Sequence, residues 1–237
     1  VERYRRQENP VTYRLAIVSD VHADLHALED ALRCIDAMGC DAIVCAGDTV
    51  DYGSFPNETL ALLEARGIPI VRGNHDRWAL DALDGSKSFG STPELTTASR
   101  RLLQLAVPSW SAVLEGVRVE VHHGSPRGDM DGIYPPDWRH PFELHVPAAV
   151  REPLNPSALL RGADVLVCGH THLAFELRFG ARLIVNPGAL LRDRADGPDN
   201  PPATGTFGVL SLPERRWRVY RAKDGDEIEI VRSPRQV

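Results

Sequence analysis

The strongest constraint on the fold is an alternation of short apolar runs with helix-patterned segments between residues 14 and 72. Residues 14–19 (RLAIVS) read as a buried strand, and residues 25–38 carry Leu28, Ala31, Leu32 and Ile35 at helical spacing before Gly39. Residues 41–46 (DAIVCA) form a second strand, residues 59–65 a helix ended by Gly67, and residues 68–72 a third strand. This βαβαβ pattern predicts a parallel sheet with helical crossovers. Ligands in such sheets gather beyond the carboxyl ends of the strands.

The positions just after those strands are polar: Asp20-Val21-His22, Gly47-Asp48 and Gly73-Asn74-His75-Asp76. The second half is richer in strands, with runs at 117–122, 165–168, 174–179, 182–185, 207–211 and 217–221. His123 follows the first of these runs, and His170 and His172 follow the second. Glycine beside most of these positions permits a positive φ or close backbone approach, which a tight turn around an ion needs.

The chain has 237 residues, enough for one domain with a substantial core, and its 43% hydrophobic and 25% charged residues are ordinary for a globular protein. A single domain over 1–237 is expected, with an irregular, proline-rich insertion at about 125–156 on the substrate side and a second irregular loop at 193–204. Net charge is −6, and no lysine-rich or arginine-rich run tracks a nucleic-acid backbone. The chain therefore reads as binding no long nucleic acid. No run of about 18 apolar residues exists to span a membrane, and the charged first ten residues are unlike a signal peptide, so a cytoplasmic location is expected. Cys34, Cys40, Cys45 and Cys168 lack C-x-x-C spacing and read as reduced, buried filler.

Carboxylate, amide and imidazole donors together suit borderline divalent ions such as manganese, iron or zinc, and no thiolate is placed to select a softer metal. Asp20, His22, Asp48, Asn74, His123, His170 and His172 are too many for one tetrahedral site. They fit two sites that share a bridge, for which Asp48 is the natural choice. Paired ions about 3.5–4 Å apart acidify a shared water and clamp a phosphoryl group.

The blocks Asp20-x-His22, Gly47-Asp48, Gly73-Asn74-His75-Asp76, His123-Gly124 and Gly169-His170-Thr171-His172, in that order, resemble the calcineurin-like metallophosphoesterase superfamily. The resemblance covers roughly residues 15–190. It implies an α/β fold, a four-layer α/β/β/α sandwich of two mixed sheets, and hydrolysis of phosphate esters or anhydrides by water activated on two divalent ions (manganese, iron, zinc or nickel). It further implies that Asp20, His22 and His172 hold one metal, Asn74, His123 and His170 the other, and that Asp48 bridges them. His75 resembles the family histidine that acts on the substrate, and Asp51 the carboxylate that orients it. Such a partner favours the imidazolium form.

His26, in the first turn of a helix, and His122, on the opposite face of its strand from His123, are not chosen as ligands. Asp24 reads equally as a partner of a ligand histidine or as a helix cap. Asn186-Pro187-Gly188-Ala189 resembles a family turn with Ala189 in place of serine, and the turn should survive. Arg127, after His123-Gly124-Ser125-Pro126, and Tyr52 are the candidate substrate contacts. His140, His145, Tyr134, Trp138 and Phe142 in the irregular loop could also meet substrate.

Protein serine/threonine phosphatases of the superfamily carry arginine where this chain has Tyr52 and glutamate where it has Asp76. The pattern therefore reads closer to small prokaryotic phosphodiesterases and dinucleoside-polyphosphate hydrolases, with a small phosphorylated substrate, possibly a nucleotide. The alternatives are a phosphomonoesterase or protein phosphatase, a metal-dependent hydrolase of a non-phosphate substrate, and a non-catalytic scaffold. A scaffold would be expected to lack a ligand or His75, and none is missing.

Overall fold

The computed structural model describes residues 12–83, 94–136, 155–192 and 205–232. Strand β1 (Tyr13–Val18) leads through helix α1 (Leu25–Ala37) to β2 (Ala42–Cys45), and α2 (Pro56–Ala65), α3 (Asn74–Leu83) and α4 (Thr97–Leu105) follow. The hairpin β3 (Trp110–Leu114) and β4 (Val117–Val121) precedes α5 (Pro156–Leu160). Strands β5 (Val165–Val167), β6 (Ala174–Phe179), β7 (Arg182–Pro187), β8 (Thr206–Leu212), β9 (Arg216–Arg221) and β10 (Val231–Arg232) complete the order.

The strands form two mixed sheets, ordered β2-β1-β8-β9 and β10-β6-β7-β5-β4-β3. In the first, β1 runs parallel to β2 and antiparallel to β8. In the second, β4, β5 and β7 run parallel, flanked by antiparallel β3 and β6. The period-2 alternation of β1 sends Leu15 and Ile17 into a core shared with Val119, Val121, Val167, Val185, Leu210 and Trp217, so the two sheets pack face to face. Ala16 and Val18 point the other way, against Leu28, Leu32 and Ile35 of α1. On the far side, Leu159 and Leu160 of α5 pack on Leu166, Phe175 and Ile184. The α/β/β/α layering is thus set by which residues of each strand are apolar. Burying each of the large α1 side chains contributes about 1.5–3 kcal/mol.

Helix α1 starts where Asp24 accepts a hydrogen bond from the Ala27 N–H at 2.9 Å, and the same carboxylate binds Arg192 at 3.1 Å. Asp24 is therefore the helix cap and an ion-pair partner, its hydrogen bonds going to Ala27 and Arg192. The third strand expected at 68–72 is reduced to single parallel bridges, Cys45 to Ile70 and Val71 to Val107. Its chain turns at Gly73 into α3 before it can add more pairs. Helix α2 begins three residues earlier than expected, with Pro56 in its first turn, where a missing N–H costs nothing. Among the described residues, no helix is long and apolar enough to cross a membrane.

Candidate metal centre

The ends of parallel strands in both sheets meet at one edge of the sandwich. Asp20 and His22 follow β1, Asp48 follows β2, Asn74 opens α3, His123 follows β4, and His170 and His172 lie between β5 and β6. Backbone hydrogen bonds tie these turns together: Asp20 N–H to Gly47 O and His22 N–H to Asp48 O, both 2.9 Å, and Gly169 N–H to His123 O at 2.7 Å. The four residues Asp20, His22, Asp48 and Asn74 are buried, as is His123.

Gly47, beside Asp48, adopts the positive φ (103°) that the neighbouring glycines were expected to permit, and most of the ligand positions adopt it too. Asp20 (51°), His22 (48°), Asp48 (51°), His170 (66°) and His172 (57°) all lie in the left-handed region. Strain of roughly 1–3 kcal/mol per such residue persists only where the surroundings over-determine it. Gly73 serves close approach instead, since a Cβ there would overlap the Asp48 carboxylate and backbone.

The side chains converge in two overlapping groups. In the first, His172 Nε2 lies 3.2 Å from Asp20 Oδ1 and 3.2 Å from His22 Nε2. In the second, His123 Nε2 lies 3.1 Å from Asp48 Oδ2 and 3.0 Å from Asn74 Oδ1, and His170 Nδ1 is 2.9 Å from the same amide oxygen. Asp48 Oδ2 also faces His22 Nε2 at 3.8 Å, which puts Asp48 between the groups.

With their rings neutral, His123 and His22 set acceptors against acceptors here. His123 Nδ1 donates to Ala46 O at 2.9 Å and His22 Nδ1 to Val50 O at 3.2 Å, so in the neutral rings each Nε2 offers a lone pair to the interior. Asp20 Oδ1 is buried with no hydrogen-bond partner, while Oδ2 accepts from Ser19 Oγ at 2.5 Å and His170 N–H at 3.1 Å. A buried orphan carboxylate oxygen among converging lone pairs fits a cation, and backbone carbonyls on the far ring nitrogens are the usual support of a metal-binding histidine.

Without a cation, the charges of the site act on these same groups. Burial would push the His123 ring down, but the charge of Asp48 and its hydrogen bond hold it up at about 10. Burial lowers His22 to about 4, against the pull of Asp48. Burial raises the Asp20 carboxyl, yet the neighbouring His172 holds it at about 2. The carboxylates thus stay ionised, and a divalent ion held between them would displace the proton that Asp48 keeps on His123.

The chain matches the sequence profile of the calcineurin-like phosphoesterase superfamily domain over residues 13–212. It belongs to that family. It is accordingly a metal-dependent phosphoester hydrolase. Its curated relatives include an uncharacterised protein of Methanocaldococcus jannaschii, 27% identical over 187 residues covering 76% of this chain and 70% of the relative. Serine/threonine-protein phosphatase 1 of Salmonella typhimurium is 28% identical over 206 residues, covering 80% and 93%. Among solved structures, the phosphoesterase YfcE of E. coli superposes with a TM-score of 0.55 at 22% identity, covering 91% of this chain and 97% of that one. The donor set suits the divalent ions the family uses.

His75 stands beside the centre in this phosphoesterase. Its Nδ1 donates to Asp51 Oδ2 at 2.7 Å and its Nε2 lies 4.0 Å from Asp48 Oδ2. The Tyr52 ring packs on both His22 and His75, at centroid distances of 4.7 and 4.9 Å, and is 51% exposed. Arg127 is held by Asp131, Nε to Oδ2 at 2.7 Å and a second nitrogen to Oδ1 at 3.1 Å, so a phosphate would compete with that carboxylate. His26 is exposed beside Glu29, and His122 lies near Glu120. Trp138, Phe142, His140, His145 and the loop 193–204 fall outside the described residues. The Asn186 turn survives, its side-chain oxygen accepting from Gly188 N–H at 2.8 Å.

Two residues have supporting roles that their sequence positions alone do not declare. Asp76 accepts from Thr49 N–H at 2.8 Å, Thr49 Oγ1 at 2.7 Å and Gly73 N–H at 2.9 Å, fixing the turns on either side of Asp48. Burial and the charge of Asp48 push its carboxyl upward. The Gly73-x-x-Asp76 spacing is half of a capping box and could have revealed both the residue and the helix it begins. Trp78 meets the His75 ring edge-on at 4.8 Å, one helical turn further along α3.

Proposed function

We propose that this phosphoesterase hydrolyses small phosphodiesters or nucleotide phosphoanhydrides. In this reading Asp20, His22 and His172 hold one divalent ion, Asn74, His123 and His170 the other, and Asp48 is shared. When bound, the ions supply positive charge for phosphoryl oxygens and acidify a water. The observation that carries the reading is the juxtaposition of that donor set with His75, whose Nδ1 is held by Asp51 at 2.7 Å. Asp51 fixes the ring so that Nε2 turns towards the reacting group, where it can donate to the leaving oxygen.

Tyr52 presents a ring rather than a guanidinium beside His75. One bidentate clamp on a dianionic monoester is therefore missing, and a monoester needs that neutralisation more than a diester does. Arg127 joins the substrate side only by exchanging Asp131 for a phosphate oxygen. The likeness to the Salmonella enzyme named as a protein phosphatase favours a second reading, in which a phosphoprotein is the substrate.

Comparing kcat/KM for bis(p-nitrophenyl) phosphate, a dinucleoside polyphosphate, p-nitrophenyl phosphate and a phosphoserine peptide, all with Mn²⁺, separates the two. A diester or anhydride should lead. A phosphopeptide ahead by about tenfold, roughly 1.4 kcal/mol of transition-state stabilisation, establishes the second reading instead.

A further inference from the structure

A cavity of about 210 Å³ opens on the outer face of the first sheet and is lined by Arg14, Ser211, Glu214, Arg216, Arg218 and Tyr220, among others. Strand register builds it. Arg14 of β1 pairs with Ser211 of β8, and Ser211 with Arg216 of β9, so two guanidinium side chains flank one hydroxyl on the same face. Arg218 and Tyr220 follow at two-residue intervals, while Trp217 and Val219 between them are buried in the core between the sheets. Arg14 stands near the start of β1 and Asp20 beyond its end. The cavity is therefore about 20 Å from the metal centre, at about 3.3 Å per strand residue.

The charges in this cavity are poorly balanced. Arg14 donates through Nη1 to the Met38 carbonyl at the end of α1, at 2.7 Å, and its backbone N–H goes to Asp41. Arg218 pairs with Glu227 at 3.4 Å, with both side chains largely exposed. Among the described residues, the Arg216 guanidinium makes no hydrogen bond or ion pair, and Glu214 is the one carboxylate in the lining. Like charges gathered on neighbouring strands are unfavourable, and here they gather in a chain of net charge −6.

We propose that this cavity is a second anion site that binds a phosphate dianion, either free or carried by a phosphomonoester. Guanidinium forks match phosphate oxygens two at a time, Ser211 offers a hydroxyl between Arg14 and Arg216, and the volume admits a phosphate with a small substituent. The site is independent of the proposed substrate of the metal centre.

The test is isothermal titration of the Mn²⁺-loaded full chain with inorganic phosphate, and separately with AMP and adenosine. Wild type, Asp48→Asn and the double variant Arg14→Ala/Arg216→Ala are compared. A binding event that survives Asp48→Asn, weakens with added salt, is absent with adenosine and loses at least tenfold in affinity in the double variant supports the proposal. AMP bound more tightly than phosphate identifies a monoester as the ligand, and the reverse order identifies the free ion. Unchanged kcat/KM in the double variant shows that it is folded and that the site lies outside the catalytic machinery. Equal affinity in wild type and double variant, or phosphate binding that disappears entirely with Asp48→Asn, overturns it.

Discussion

The strand-end cluster and the loop after β4 contain the same kinds of polar residue, but they satisfy them in opposite ways. In the loop, Arg127 lies on Asp131, Ser125 Oγ donates to the same carboxylate, and Arg77 of α3 binds Asp129 at 2.7 Å. Every one of those contacts joins a donor to an acceptor. In the cluster, the neutral rings of His22 and His123 turn Nε2 lone pairs towards imidazole, amide and carboxylate groups, and Asp20 Oδ1 has no hydrogen bond. The loop is stable on its own terms, whereas the cluster is arranged for cations that the chain does not supply.

The largest break in that contrast should come from Asp48→Asn. Removing half the negative charge shared by the two groups weakens both sites, so metal content measured after dialysis should fall for both ions and turnover should be nearly abolished. Loss of one ion only would place Asp48 outside the shared position. His75→Ala should leave metal content near wild type while lowering kcat by about 10²–10⁴-fold, the usual contribution of a positioned acid. Its Nε2 is close enough to His22 and Asp48 to form a candidate metal group, so loss of metal in this variant would make it a ligand. Asp51→Asn should give a smaller fall in kcat of the same kind, because it disturbs only the orientation and charge of the ring.

The smallest effect belongs to the loop. Arg127→Ala should change unfolding free energy by under about 1 kcal/mol, since the pair is half exposed. Burial would raise the Asp131 carboxyl, but Arg127 and Ser125 hold it below its ordinary value. A depressed carboxylate contributes stability above its unfolded pKa, near 3.9, and loses it as pH falls through the folded one. Denaturant melts of wild type and variant should therefore differ at pH 6 and converge as pH falls through the lowered Asp131 pKa. A difference that persists in acid would mean the loop is held by packing rather than by charge.

The cluster was legible because each donor follows an apolar run that must be a strand. A strand's end is fixed by its hydrophobic pattern, which places Asp20, Asp48, His123 and the His170–His172 pair at strand ends. Helix α3 was not legible, since Asn74-His75-Asp76 reads as a turn when its residues are weighed for metal binding. There the helix N-terminus itself meets the site, with the His75 N–H donating to Asp48 Oδ1 at 2.8 Å. The short strand expected at 68–72 failed for a related reason: apolar content alone does not say whether neighbours leave room for a full ladder. Asp24 could not be assigned from sequence because a cap and a ligand's partner need the same carboxylate, and only the position of Arg192 decides between them.

Metal stoichiometry tests the central claim most directly. Protein reconstituted with Mn²⁺ and freed of excess should contain two ions per chain by elemental analysis, and phosphodiesterase activity should rise until the second equivalent is bound. One ion or none per chain, with activity retained, would contradict a shared Asp48 and the two-ion reading built on it.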